Sequence, residues 1–327
     1  MVTGGAALAG LAVGIPFGAV AARSGLCANS AVREALFGSD RRLPRIFLVA
    51  VGVQLALLPV VIALGVDVTA PHLYVVAGAI GGFAFGVGMA LAGGCASGIL
   101  WRTGTGAGTA LLAIAGFGAG ELLIRGPLIS LRETLDSAGP APRAATLDDL
   151  TGVPYAVLGV AAAVVLAIAL RRSGTEVWRV GVAIGVIGVA AWIAAQAVGY
   201  GYGLGFVGTA ANIDATVRSG DASRLTMEPF LALGVVAGAA LGGRRRLRFP
   251  NRPRAIRAAG GGVLMGVAGT IAHGCNIGHA LTGLPLLSVG SIEATLAMIA
   301  GVAVTWRALR RDRPGLRGQD EPRAVAG

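Results

Sequence analysis

Long apolar stretches separated by short arginine-bearing segments run through the whole chain. They fall at about residues 2–22, 44–66, 73–94, 106–124, 153–170, 178–200, 226–242, 259–274 and 288–307. Each approaches the ~20 residues that an α-helix needs to cross the hydrocarbon core of a bilayer. The pattern predicts an all-α polytopic membrane protein with about nine transmembrane helices in a single transmembrane domain, residues 1–309. The polar, Pro- and Gly-containing tail at 310–327 is expected to be disordered and cytoplasmic.

Composition supports this class and removes others. Of the 327 residues, 55% are hydrophobic and only 13% charged. That charged share is about half the usual one, too small to cover a soluble globule or to describe a disordered chain. The net charge is +11, carried by 27 basic residues that are all arginine. A basic balance can indicate nucleic acid, but these arginines lie in loops between apolar runs and read as topology determinants, so no nucleic-acid partner is expected. Under nine spans, 22 of the 27 fall on one side, including the group from Arg244 to Arg257. The positive-inside rule then puts the C-terminus in the cytoplasm and the N-terminus outside. The acidic segment of about 125–152 faces outward on the same count. No arginine precedes the first apolar run, so that run reads as a span rather than a signal peptide.

The chain also repeats itself. GFAFGVGMALAGGCASG (82–98) aligns with GVLMGVAGTIAHGCNIG (262–278), matching Gly94 to Gly274, Cys95 to Cys275 and Gly98 to Gly278. A weaker match sets GLCANSAVR (25–33) against GTAANIDATVR (208–218), with Cys27 opposite Ala210. Repeat 1 then covers about 1–125 and repeat 2 about 178–309, joined by a linking span at 153–170. This is a 4+1+4 arrangement in which the single linking span inverts the second unit. Inverted repeats place a substrate path near the midplane at their interface.

In each matched block an apolar run ends at Gly, followed by Cys or Ala and a segment too short to span. The blocks predict short re-entrant helices at Cys27–Phe37, Cys95–Trp101, Cys275–Leu281 and about Ala210–Val217. Non-helical backbone at membrane depth survives only inside protein or along a polar path, and a broken helix turns free N–H groups and a positive dipole end toward the break. All three cysteines of the chain lie at such breaks. A buried Cys is ordinarily a small hydrophobe; recurrence at equivalent breaks points to function instead. With Asn29, Ser97, Asn212, Asn276, His273 and Arg102, the thiols Cys27, Cys95 and Cys275 form the candidate substrate-binding set. The asparagines suit either helix capping or ligand contact. Glu121 and Arg125, one turn apart, are expected to pair, and Trp101 and Trp306 to anchor at the interface. His273 and His279 flank Cys275, but three distant thiols without a CxxC are a poor metal site, and no metal or cofactor is expected. No GxxxxGKS occurs, so no ATPase is expected in the chain.

GMALAGGCASGILWRTGTG (88–106), AHGCNIGHALTGLPLLSVGSIEATLAMIAG (272–301) and SGLCANSAVREALFG (24–38) resemble the signature blocks of the YeeE/YedE family of membrane sulfur transporters. The resemblance implies an hourglass of nine transmembrane helices with a constriction lined by Cys27, Cys95 and Cys275. It also implies thiosulfate uptake, relayed past the three thiols by S–H···S contacts without a covalent bond. It further implies a small TusA-like sulfur-carrier protein as a cytoplasmic partner, and location in the bacterial inner membrane. A membrane-embedded sulfurtransferase carrying a persulfide, and a permease for a selenium compound, are the alternative readings.

Overall fold

A computed structural model describes residues 2–38, 40–139, 143–243 and 247–311. Arg244–Arg246 and the tail from 312 onward, both used in the sequence reading, lie outside the described residues. The elements run α1 (Val2–Ser24), α2 (Ala28–Phe37), α3 (Arg42–Ala63), β1 (His72–Leu73), α4 (Val75–Ala92), α5 (Ala96–Gly104), α6 (Gly108–Arg125) and α7 (Ile129–Ser137). They continue through β2 (Arg143–Ala144), α8 (Leu147–Thr151), α9 (Tyr155–Leu170), α10 (Thr175–Ala197), α11 (Thr209–Ser219), α12 (Met227–Gly242) and α13 (Arg252–Ile271). A π-helical turn, Gly278–Gly283, leads through a 3-10 turn into α14 (Val289–Arg311).

The protein is an all-α polytopic membrane protein. Among the described residues, six stretches are long and apolar enough to cross a membrane, and α9 and α12 are shorter apolar helices. Surface chemistry agrees with this class: α9 exposes Val157, Val160, Val164, Val165 and Ile168 along its length. Such a continuous apolar face is rare on a soluble protein. The helices match the apolar runs closely except at α13, which begins at Arg252 rather than near 259. Its first turns carry Arg252, Arg254 and Arg257 and are capped by the Asn251 side chain, which accepts from Arg254 N–H at 3.2 Å. Hydropathy sees only the apolar remainder.

The packing exchanges symmetrically between the halves. α1 packs on α12 and α10 on α3; α6 packs on α13 and α14 on α4; α2 touches α14 and α11 touches α6. Each contact maps onto its partner when α1, α2, α3, α4 and α6 are swapped with α10, α11, α12, α13 and α14. The equivalent pair α4 and α13 packs together between the two halves. Glycine permits the tightest of these contacts: a Cβ on Gly14 would lie 2.9 Å from Gly234 Cα, and one on Gly120 would lie 3.0 Å from Gly266 Cα. Small residues at helix interfaces are what packing in lipid favours, because van der Waals contact replaces the hydrophobic drive.

The segment after α6 is more ordered than a polar loop. It holds α7 and α8, the latter with a capping box between Thr146 and Asp149, and β2 pairs antiparallel with β1, His72 opposite Ala144. Asp136 on α7 reaches the α13 terminus, as described below.

Candidate functional site

The first two thiols occupy helix N-caps. α1 ends at Ser24, Gly25 takes the left-handed φ of +68° that reverses the chain, and Cys27 leads into α2. α4 ends in the same way at Gly93 (φ 72°), and Cys95 leads into α5. The two caps face each other. Ala28 N–H donates to Cys95 Sγ at 3.2 Å, and Cys95 N–H donates to Cys27 Sγ at 3.5 Å. Cys95 Sγ also accepts from Gly98 N–H at 3.3 Å and lies 3.5 Å from Ser97 Oγ. A Cβ on Gly98 would sit 2.8 Å from Cys27 Sγ and 3.2 Å from Cys95 Sγ, so only glycine fits here without displacing a sulfur.

Cys275 begins the equivalent short segment of the second half, and its Sγ accepts from Gly278 N–H at 3.5 Å. The next residue connects the halves: Asn276 Oδ1 accepts from Ala96 N–H at 3.2 Å. Asn276 therefore caps a short helix, though the one belonging to the other repeat. Among the described residues its Nδ2 is buried without a partner, an orphaned donor beside the thiols. All three cysteines are free and buried. A thiol is both a weak acceptor and a weak donor. Each sulfur accepts a backbone N–H, and Cys27 and Cys95 also hydrogen-bond to one another through their thiols.

The fourth break lacks a thiol and holds a carboxylate instead. α11 starts after Gly208 (φ +113°), and the buried Glu121 accepts from Gly208 N–H at 2.8 Å through Oε1 and from Ala210 N–H at 2.9 Å through Oε2. This corrects two expectations. Glu121 binds the α11 N-terminus and forms no ion pair with Arg125, because two charge-assisted bonds at a helix N-terminus outcompete a partner one turn away. The counterpart of Cys27 by N-cap position is Gly208, not Ala210.

The remaining candidates divide. His273, at φ 56°, is held by Asp136 Oδ1 2.8 Å from Nε2 and by Arg132 Nη2 3.5 Å from Nδ1, and it stacks on Tyr74 at 3.8 Å. With Tyr200, Tyr202, Phe206, Glu228 and Cys275 it lines a cavity of about 150 Å³. Ser97 stays with Cys95. Asn29 is turned away: its Oδ1 accepts from Trp306 Nε1 at 3.1 Å. Asn212 fastens α11 to α12, donating to Arg224 O at 2.9 Å and accepting from Thr226 N–H at 3.0 Å. Arg102 donates to Gly93 O at 2.6 Å and closes the α4 terminus. Trp101 donates to Leu26 O at 2.8 Å, so both tryptophans clamp the first break from within. Glu228, Tyr200 and Tyr202 were not among the sequence candidates. The one available signal was an acid in the first turn of an apolar helix, TMEPFLALG. Among the described residues, no three of His, Cys, Asp and Glu come together as a metal site requires.

A lipid-facing helical body around a small buried site of thiols and helix N-termini defines a polytopic membrane transport protein. The sequence comparisons give the family. A family model described as Sulphur transport matches residues 23–304, and the chain belongs to that family. It is a transporter family, not an enzyme family. Among its relatives, the chain is similar to a thiosulfate transporter of Spirochaeta thermophila, TsuA, at 31% identity over 92% of this chain and 99% of the relative. It is also similar to TsuA of Escherichia coli, at 32% identity over 38% of this chain and 37% of the relative.

Proposed function

We propose that this protein takes up thiosulfate across the bacterial cytoplasmic membrane and passes it intact along Cys275, Cys95 and Cys27. The observation that carries the reading is the mutual capping of Cys27 and Cys95 together with the Asn276 bridge from the Cys275 turn. Thiosulfate is a small dianion with a soft terminal sulfur. Helix N-termini offset its charge, and thiols donate weakly enough to release it. Weak binding at several successive sites is what conduction requires. The orphaned Asn276 Nδ2 supplies a further donor where the two repeats meet. The break without a thiol fits the same logic, since the free N–H groups of its N-terminus are already taken by the Glu121 carboxyl oxygens. The test is uptake of doubly labelled thiosulfate by vesicles carrying this protein alone, with both sulfurs entering together.

The arrangement in the membrane belongs to the same proposal. Nine spans in a 4+1+4 inverted repeat, narrowing to an hourglass at the breaks, are supported by the exchange of packing partners between the halves and by the arginine bias. The N-terminus is then outside, and the arginine-rich face meets a cytoplasmic TusA-like carrier. An anion entering by the cavity beside His273 meets Cys275 first. Reporter fusions within 244–257 and after residue 327 are expected to read cytoplasmic. A periplasmic signal from either contradicts the orientation.

A further inference from the structure

The relay leaves Glu228 without a task. It lies in the first turn of α12, is only 6% exposed, and lines the Cys275 cavity. A second carboxylate is close by. Gly208 donates its N–H to Glu121 Oε1, and Glu228 Oε2 lies 2.9 Å from the place a Cβ on Gly208 would take. Two buried carboxylates thus flank one glycine. Among the described residues neither forms an ion pair. The other groups facing Glu228 are Tyr200 and Tyr202 from the segment before α11 and Cys275 from the break after α13. His273 is engaged by Asp136 and Arg132, and Arg125 on α6 is a cation close enough to act on both Glu121 and Glu228.

Two buried like charges this close do not both ionise readily. The structure distinguishes them. Both oxygens of Glu121 accept backbone N–H groups at the α11 start. Among the described residues Glu228 accepts no backbone N–H and has only the Tyr200 hydroxyl as a hydrogen-bond donor, so it is the less fully satisfied of the two carboxylates. A dianion entering the cavity adds further negative charge beside Glu228.

We propose that Glu228 is a proton-binding site loaded before thiosulfate occupies the Cys275 cavity, so that binding the anion takes up one proton. This deepens the thiosulfate reading and rests on it. The proton comes from the solvent reached by the cavity and forms an O–H bond on the Glu228 carboxylate. No electrons are transferred. The neutral acid becomes a hydrogen-bond donor toward the anion's oxygens, where the carboxylate repelled them.

Titration calorimetry of the purified full chain with thiosulfate, run in two buffers of different ionisation enthalpy, counts the protons. The wild-type protein is expected to take up about one proton per anion at mildly alkaline pH, with affinity falling by up to about tenfold per pH unit. Glu228→Gln is expected to bind with no proton uptake and a flat pH profile. Binding to the wild type with no proton uptake overturns the proposal, and so does a Glu228→Gln protein that keeps the wild-type pH profile. Failure of the wild type to bind thiosulfate at any pH overturns the thiosulfate reading, and this proposal with it.

Discussion

Cys95→Ala and Cys275→Ala each abolish thiosulfate-dependent growth while the protein still reaches the membrane at the wild-type level. Replacing a buried thiol with a methyl changes little in packing, because Cys already packs as a small hydrophobe. It does remove the soft donor and the sulfur that accepts N–H groups from neighbouring helix starts. A hydrogen bond to a charged partner contributes roughly 1.5–3 kcal/mol, which is about 10- to 100-fold in occupancy at a single station. In a series of narrow stations, the loss of one stops the flow. Cys95→Ser also fails, since a hydroxyl is a smaller and harder partner for the terminal sulfur. Cys27→Ala is impaired too, because Cys27 Sγ accepts the Cys95 N–H that orients the second cap. The comparison is growth of the single variants on thiosulfate at matched membrane expression. Normal growth of the Cys95 and Cys275 variants reduces the thiols to packing residues.

Gly98→Ala blocks uptake with all three thiols in place. The added methyl lies 2.8 Å from Cys27 Sγ and 3.2 Å from Cys95 Sγ, closer than packed atoms tolerate, so one sulfur must move. Overpacking of this kind costs about 1–3 kcal/mol. Here the strain falls between two stations, and a fall in uptake of about 5- to 150-fold is expected for the same energy. At an ordinary helical site the same change is mildly stabilising, because Ala exceeds Gly in helix propensity by about 1 kcal/mol. The outcome therefore separates a sulfur-lined passage from a plain helix. Measuring the uptake rate alongside maleimide labelling of the thiols checks it. Wild-type uptake by Gly98→Ala contradicts passage between Cys27 and Cys95.

Much of this architecture is legible in the sequence because lipid enforces a simple code. Apolar runs located the long helices to within a few residues, failing mainly at α13, whose arginine-rich first turns belong to the helix but not to the apolar run. Recurrence of Gly-Cys-x-x-Gly located the breaks at Cys95 and Cys275; the left-handed residue that reverses the chain lies one position before the motif, Gly93 in the first half and His273 in the second. Order within 126–152 was not legible. α7 and α8 are short and polar, and α7 is held partly by Asp136 on His273, a contact between residues 137 positions apart.

The site was legible as a set of residue types and not as a set of contacts. Cys27 meets Cys95 across 68 positions, and Asn276 caps α5 across 180. No local pattern encodes either. Asn29, Asn212 and Arg102 looked alike as polar residues just past a break. Only packing shows that the first accepts from Trp306, the second ties α11 to α12 and the third closes α4. Glu121 was read through its own helix as a partner of Arg125, whereas the competing N–H groups belong to a helix almost ninety residues away. Glu228 escaped notice because one acid in the first turn of a helix ordinarily needs no explanation beyond the helix dipole.

The central claim is that thiosulfate passes the thiols without bonding to them. The most direct measurement uses proteoliposomes holding only this protein and thiosulfate whose two sulfur atoms carry different isotopes. The account predicts that mass spectrometry of the lumen finds intact thiosulfate bearing both labels, with no sulfur adduct on any cysteine. A thiolate attack on the outer sulfur would instead form a cysteine persulfide and expel sulfite. Sulfane label on Cys27, Cys95 or Cys275, with the other label recovered as sulfite, would contradict the account and make the protein a sulfurtransferase.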